Sequence, residues 1–395
     1  MNIGIDSISF YTAQYAFDLE KLAEARSVDP KKYLQGLGQE RMSVAPPDED
    51  AVTLGASAAH PLRRDGKLDD IDLLLFATES GVDQSKAGGL FIHGLLDLPS
   101  RCRVLEVKQA CYSATAALQL AAAHVRGSPG RKALVIASDV ARYELENPGE
   151  ATQGCGAVAF TVAADPAVLA LDPEAGYHAE DVMDFWRPNY RREALVDGKY
   201  STRVYIDTML HCWRDYAGQS GRGLEDFERF CYHLPFSRMA EKAQVRLARA
   251  LHAEADGKRI EEWLEGTREY ARVTGNCYAA SLYVALTSLL DAPGKDLAQC
   301  RLGLFSYGSG CVGEWFSGVV QPGYRQALYT QQHRAMLANR EPLTYRQYED
   351  IYHFLLPEDG ADHVLPQYRT GPYRLAGISN HKRTYEAVDE GTPSL

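Results

Sequence analysis

The strongest constraint on this chain is a set of short, unbroken apolar runs separated by helical patterns or turns. Ile71 to Ala77, Val104 to Val107, Ala133 to Ser138 and Val158 to Val162 lack the alternation of a half-solvated strand. They read as strands buried on both faces. Leu19 to Ala25, Asp50 to Ala59 and Ala114 to Val125 carry helical spacing around them. Such alternation predicts an α/β fold with a mostly parallel, covered sheet. The second half echoes the first. Phe230 to His233 resembles a strand end. Arg238 to His252 and Ile260 to Tyr270 read as helices, Asn276 to Leu290 as a long apolar helix, and Leu302 to Ser306 as a strand running into glycines. Residues 165 to 201, with Pro166, Pro173 and Pro188, read as the connection between halves. No short-period repeat is present, and the letters alone leave a half-chain duplication open.

Composition narrows the function classes. The 395 residues are 45% hydrophobic and 24% charged, which excludes fibrous and disordered classes. The net charge of −11 argues against a nucleic-acid or anionic-membrane partner. Met1 to Asp6 has neither a basic nor an apolar leader region, no run reaches membrane-span length, and Thr392 to Leu395 carries no lipidation motif. A cytoplasmic chain is therefore expected. The eight cysteines show no CxxC or zinc-finger spacing, so no metal is expected. Most then read as small buried apolar residues, with room for one nucleophile.

Six segments are candidates for chemistry. In Glu106-Val-Lys-Gln-Ala-Cys111-Tyr-Ser113, an apolar strand runs into a helix near Cys111. A thiol there would sit in the positive end of the helix dipole and ionise readily, or it is simply a buried cysteine. Glu79 ends the strand before Ser80-Gly81. Burial would make it a general base, or it is a cap or a solvated acid. His233 precedes Leu234-Pro235 and is either a rigid proton donor or a structural histidine. Arg238, Lys242, Arg246 and Arg249 share one helix face, which suits phosphates or is a solvated face balanced by Glu241. Gly308, Gly310 and Gly313 form a nominal GxGxxG, but a strand follows instead of a helix, so dinucleotide binding is rejected in favour of a glycine turn. Asn276, after Gly275, would orient a carbonyl at a helix start or cap the helix.

A helix-start cysteine, a strand-end glutamate, a histidine, an asparagine and a glycine turn together resemble the 3-hydroxy-3-methylglutaryl-CoA synthase family, part of the thiolase-like superfamily. The likeness extends over nearly the whole length. It includes Thr78-Glu79-Ser80, Glu106 to Tyr112, Ala137-Ser-Asp139, Thr152-Gln-Gly154, Asp184-Phe-Trp-Arg-Pro188, Val196-Asp-Gly198, His233-Leu-Pro-Phe236, Gly275-Asn276 and Phe305 to Gly310. It implies a thiolase-like fold of two pseudo-duplicated halves, 1–165 and 166–395, in a layered α-β-α-β-α body that forms a homodimer. It also implies that Cys111 is acetylated by acetyl-CoA, that Glu79 removes a methyl proton, and that His233 and Asn276 hold the carbonyls of acetoacetyl-CoA. Tyr143, Thr152, Ser201, Lys242 and Ser309 fall at substrate contacts, and no cofactor or metal is implied.

The chain departs from the family pattern in places. Cys155 and Cys311 stand where CoA-using members more often have alanine. Gln109 and Ser113 resemble a polyketide branch that works on acyl carrier protein, whereas Asp184 to Pro188 and Val196 to Gly198 resemble the mevalonate-pathway enzyme. The CoA reading is the main expectation and the carrier-protein reading the alternative. A non-catalytic module is disfavoured because Glu79, Cys111 and His233 are all present. A thiolase or decarboxylating ketosynthase would place a second cysteine or histidine where Ser309 stands, although Cys311 lies only two residues beyond that position.

Overall fold

Nine strands form the main sheet of the computed structural model, which describes residues 1–254 and 256–388. The C-terminal tetrapeptide read for lipidation lies outside them. The strands are β1 (Ile3–Tyr11), β2 (Ile71–Ala77), β3 (Arg103–Val107), β4 (Lys132–Ala141), β5 (Gly154–Ala164), β6 (Leu169–Ala179), β7 (Arg229–Tyr232), β8 (Arg301–Gly308) and β9 (Val312–Val320). Their order across the sheet is β7-β8-β9-β6-β1-β5-β4-β2-β3. In the first half β1 is antiparallel to β5, β5 antiparallel to β4, and β4 parallel to β2. The second half repeats this: β6 antiparallel to β9, β9 antiparallel to β8, β8 parallel to β7. The duplication absent from the letters is thus present in the topology. Only the first half carries a further parallel strand, β3, among the described residues. The halves join where Gly4 lies opposite Ala170 and Ile5 opposite Leu169.

The continuous apolar runs divide between two cores. On β2, Leu74 and Phe76 face an outer core built with α1 (Ala51–Arg64) and α2 (Gly88–Leu95). Leu73, Leu75 and Ala77 face the inner core. Two apolar sides explain why no alternation is legible. α3 (Ser113–Gly127) and α6 (Ser281–Asp291) fill the inner core, which also takes in Phe230, Leu302 and Leu304 of the second half. Beyond it α4 (Gly198–Ser220) packs on β6 and β9, with Trp213 edge-on to Trp315 at 4.9 Å between centroids. The result is the alternating helix and sheet layering of the thiolase-like fold. Asp50 caps α1 through the Val52 and Thr53 N–H groups, completing a capping box with Thr53.

Several expectations are corrected. The stretch from 165 to 201 is not a plain connection: it contains the eleven-residue strand β6. Pro173 sits where the register against β9 shifts, between Phe316 opposite Ala175 and Gly318 opposite Leu171. A bulge tolerates a proline that a regular ladder would not. The helix expected over Ile260 to Tyr270 is broken into Gly257–Leu264 and Glu269–Thr274 by Gly266, whose φ is 83°. The helix expected from Asn276 begins at Ser281, because Asn276 turns the chain first.

That turn depends on a crossing of two glycine backbones. A Cβ on Gly275 would lie 1.9 Å from the Gln153 carbonyl oxygen, and one on Gly154 would lie 2.2 Å from that of Thr274. Gly275 also has a φ of 80°. Gly275→Ala is expected to cost at least about 2 kcal/mol, since strain and a backbone clash add. Gly127→Ala, where a Cβ meets nothing within 4 Å, is the near-neutral control. Denaturant midpoints of the two variants check this.

Candidate active site

Glu79 lies two residues beyond β2, and Cys111 lies between β3 and α3. Their side chains meet: the Cys111 thiol donates to Glu79 Oε1 at 3.0 Å. Cys111 is only 9% exposed and packs with Ala141, Tyr143, Ala194 and Tyr278, with Phe185 against them. Phe185 meets Tyr143 and Tyr278 edge-on, at 6.1 and 5.7 Å between centroids.

The expectation of an easily ionised Cys111 is overturned. α3 starts at Ser113, two residues past the cysteine, and Ala110 takes a φ of 43° before it. Burial and the neighbouring Glu79 carboxylate push the thiol well above its ordinary value. The group at rest is a neutral thiol hydrogen-bonded to a base.

Glu79 is raised, the direction expected of a carboxylate placed at a buried strand end. Burial, then the charge of Asp139, raises it far above the usual carboxylate range, while Cys111 and Arg187 oppose that rise. Asp139 is fully buried at the end of β4. Its Oδ1 accepts from the Thr78 hydroxyl at 2.8 Å and from the Glu79 and Ser80 N–H groups at 2.9 Å each. Its Oδ2 accepts from the Ala279 N–H at 2.9 Å. Four donors offset part of the burial that also raises Asp139, so the larger rise falls on Glu79.

The second half supplies His233 and Asn276 from corresponding places. His233 follows β7 as Glu79 follows β2, and its main chain is tied on both sides. Its N–H donates to Phe305 O at 2.9 Å, and Tyr205 donates to its carbonyl at 2.9 Å. Burial lowers the imidazole to about 3, so it is neutral throughout the working range. Its Nδ1 is buried without a partner among the described residues. Before α6, Tyr278 takes a φ of 41° three residues ahead of Ser281, as Ala110 does ahead of Ser113. Asn276 Oδ1 accepts from the Tyr278 N–H and the Ser281 hydroxyl, both at 2.9 Å. The amide NH2 is left to face the Tyr143 hydroxyl.

Among the remaining expected residues, Thr152 contributes its carbonyl to the Asn276 N–H at 3.0 Å, while its hydroxyl donates to Gly149 O at 2.8 Å. Ser201 donates to Asp184 Oδ2 at 3.0 Å. The Ser309 carbonyl accepts from Gln109 Nε2 at 3.2 Å. Buried Asp184 gathers Ser201, the Tyr307 hydroxyl at 2.7 Å and the Gly310 N–H at 2.9 Å. Lys242 stands apart, exposed on α5 (Met239–Ala250), with Nζ 4.7 Å from the centroid of the Phe236 ring. On the expected basic face, Arg238 is consumed by a pair with Glu241 at 2.7 Å, whereas Arg246 and Arg249 are exposed. Cys155 and Cys311 are both buried.

Sequence reasoning gave no role to Asp139, Asp184, Arg187 or Tyr278. The signal was present for Asp139: a carboxylate closing an apolar strand must find donors or lose its charge.

The thiol's environment has a direct readout. Glu79→Gln removes the anion that raises the Cys111 thiol, so its pKa falls. Iodoacetamide is expected to label Cys111 several-fold faster in that variant at pH 8, followed by mass spectrometry of the peptide.

Comparison with known proteins adds an independent line. The family model described as hydroxymethylglutaryl-coenzyme A synthase N terminal matches residues 1–167, and the corresponding C-terminal model matches 169–268 and 258–355. A hydroxymethylglutaryl-CoA synthase from Enterococcus faecalis is 39% identical over 385 residues, covering 98% of this chain and 100% of that protein. A polyketide biosynthesis 3-hydroxy-3-methylglutaryl-ACP synthase from Bacillus subtilis (strain 168) is 34% identical, covering 89% of this chain and 88% of its own. A crystal structure of an HMG-CoA synthase complexed with CoA superposes with a TM-score of 0.93 at 40% identity, covering 98% of this chain and 100% of that one. An HMG synthase of the curacin biosynthetic pathway, in complex with holo donor-ACP, gives 0.88 at 31% identity, covering 98% and 100%.

Proposed function

The chain belongs to the hydroxymethylglutaryl-CoA synthase family, and we propose that it joins acetyl-CoA to acetoacetyl-CoA through an acetyl group carried on Cys111. The observation that carries this reading is the Cys111–Glu79 hydrogen bond inside a largely buried box.

The chemistry follows from the resting state. The Cys111 thiol passes its proton toward Glu79 as sulfur attacks the acetyl thioester. CoA leaves as the thiol and takes a proton with it, returning Glu79 to its carboxylate. Glu79 then removes a methyl proton from the acetyl-enzyme. The resulting enolate adds to the ketone carbon of acetoacetyl-CoA, and the new alkoxide takes the proton back. Water cleaves the thioester to give hydroxymethylglutaryl-CoA and the free Cys111 thiol. A base held above the ordinary carboxylate range is well matched to proton transfer near neutrality. His233, neutral at these pH values, serves as an N–H donor to a developing oxyanion and not as an imidazolium acid. The Asn276 amide, its oxygen already occupied, offers a second donor. Tyr143 walls the acetyl site. Thr152, Ser201 and Ser309 line the acceptor's path, and Lys242 takes a phosphate of its CoA. The two thioesters and these side chains suffice without a dissociable cofactor.

The wider reading is a cytoplasmic enzyme of the mevalonate route to isoprenoids, with halves at 1–165 and 166–395. It acts as a homodimer through the free edge of β3, where Leu105 is 55% exposed; Leu120 of α3 is 53% exposed. A native mass twice 43.7 kDa, reduced to one chain by Leu105→Asp, is the expected result by light scattering.

A second reading has its own support. Lys242, Arg246 and Arg249 lie exposed on α5 of a chain with net charge −11. Such a face suits an acidic carrier protein as well as nucleotide phosphates. Mass spectrometry with acetyl-CoA, followed by either acceptor, separates the two. Acetylation of the Cys111 peptide and turnover of acetoacetyl-CoA are expected. Turnover only of acetoacetyl carrier protein would select the second reading, and no acetylation would overturn both. Cys111→Ala is expected to abolish the acetyl-enzyme. Glu79→Ala should still form it while losing condensation by about 10³-fold or more.

A further inference from the structure

The Glu79 peptide is gripped from two sides by groups of opposite charge. Its N–H donates to the Asp139 carboxylate at 2.9 Å, and its carbonyl accepts from the Arg187 guanidinium. Arg187 belongs to a small hairpin in which Phe185 and Trp186 pair with Val196 and Leu195. The same hairpin places Phe185 and Ala194 on the box around Cys111. Two arginines near it have carboxylate partners, Arg191 with Glu144 and Arg142 with Glu193 at 3.6 Å, whereas Arg192 forms no ion pair among the described residues. Among the described residues no carboxylate side chain forms an ion pair with Arg187, so its charge acts on the site.

That site is otherwise anionic or neutral. Glu79 faces Asp139 from the end of β4, the Cys111 thiol from the segment before α3, and the phenols of Tyr143 and Tyr278. Asp184 also lies within the field of Cys111. Arg187 is the cation that acts on Glu79 among these groups. Its removal would leave a buried carboxylate beside a second one with no compensating charge.

We propose that Arg187 is the positioning residue of the Glu79 loop: it holds the loop against Cys111 and biases the neighbouring carboxylate toward its ionised, proton-accepting form. The proposal rests on Glu79 acting as the base. A coupling follows from it, because the hairpin that closes the acetyl box also charges the base. Displacing the hairpin opens the box and withdraws the cation in one movement.

The sign of the expected effect is fixed by electrostatics. Loss of a nearby cation disfavours the carboxylate form, so a higher pH is needed to ionise Glu79. In Arg187→Met the acid limb of the kcat profile is expected to move up by about one pH unit. Activity at pH 7 should fall about tenfold and recover most of that loss by pH 9. Arg187→Lys, which keeps the charge and not the planar fork, should restore the limb while kcat stays a few-fold low. Acetylation of Cys111 is measured on the same samples, together with circular-dichroism melting to verify folding. A loss of kcat equal at every pH in a folded Arg187→Met, or a rise in KM for acetoacetyl-CoA with an unmoved limb, would overturn the proposal. Failure of the unmutated protein to acetylate Cys111 would overturn the functional reading beneath it. That outcome is distinct from a shared acetylation with an unmoved limb, which rejects Arg187 alone.

Discussion

Everything in the site hangs on one buried carboxylate. Asp139 is fully buried near the end of β4 and accepts from Thr78, Glu79, Ser80 and Ala279. Three of those donors belong to the loop after β2, and one to the turn before α6. A single side chain thus fixes the loop that carries Glu79 and ties it to the turn that carries Asn276. Burying such a charge would cost several kcal/mol without partners. Here charge-assisted bonds offset that cost and convert it into geometry. Asp184 performs a similar service on the other side, joining Ser201, Tyr307 and Gly310.

The electrostatic logic is one of opposed shifts. Glu79 and Cys111 are both raised, so at rest the proton stays on sulfur or is shared between the two groups. His233 is lowered and stays neutral. A largely buried box strengthens each of these effects, and every donor aimed into it gains in value.

Much of this was legible in the letters, for physical reasons. Strands buried on both faces announce themselves by unbroken apolar runs, and β2 was read with its observed bounds, Ile71–Ala77. The short helix Leu19–Ala25 and a helix starting at Asp50 were equally plain. β6 was missed because its middle, Leu171-Asp-Pro-Glu-Ala, imitates a loop; the bulge opposite Ser317 accommodates what a regular ladder would reject. The juxtaposition of Cys111 and Glu79 rested on the family resemblance, since no local pattern brings together residues from two separate strand ends. The state of the thiol was misread because a two-residue offset from α3 removes the dipole's benefit while burial remains. Tyr278 and Arg187 gave no signal because their roles depend on packing between distant segments.

The repeated topology has a consequence for how such a centre can change over time. Each half ends a parallel strand at one site position and begins a central helix at another, so the two halves offer matched sockets. One socket now holds a carboxylate and its counterpart an imidazole; one helix entrance holds a thiol and the other an amide. A residue in one socket can differ from its counterpart while both halves keep the same scaffold. Proton removal and carbonyl recognition place contradictory demands on a single group, and the repeated topology offers each a position of its own.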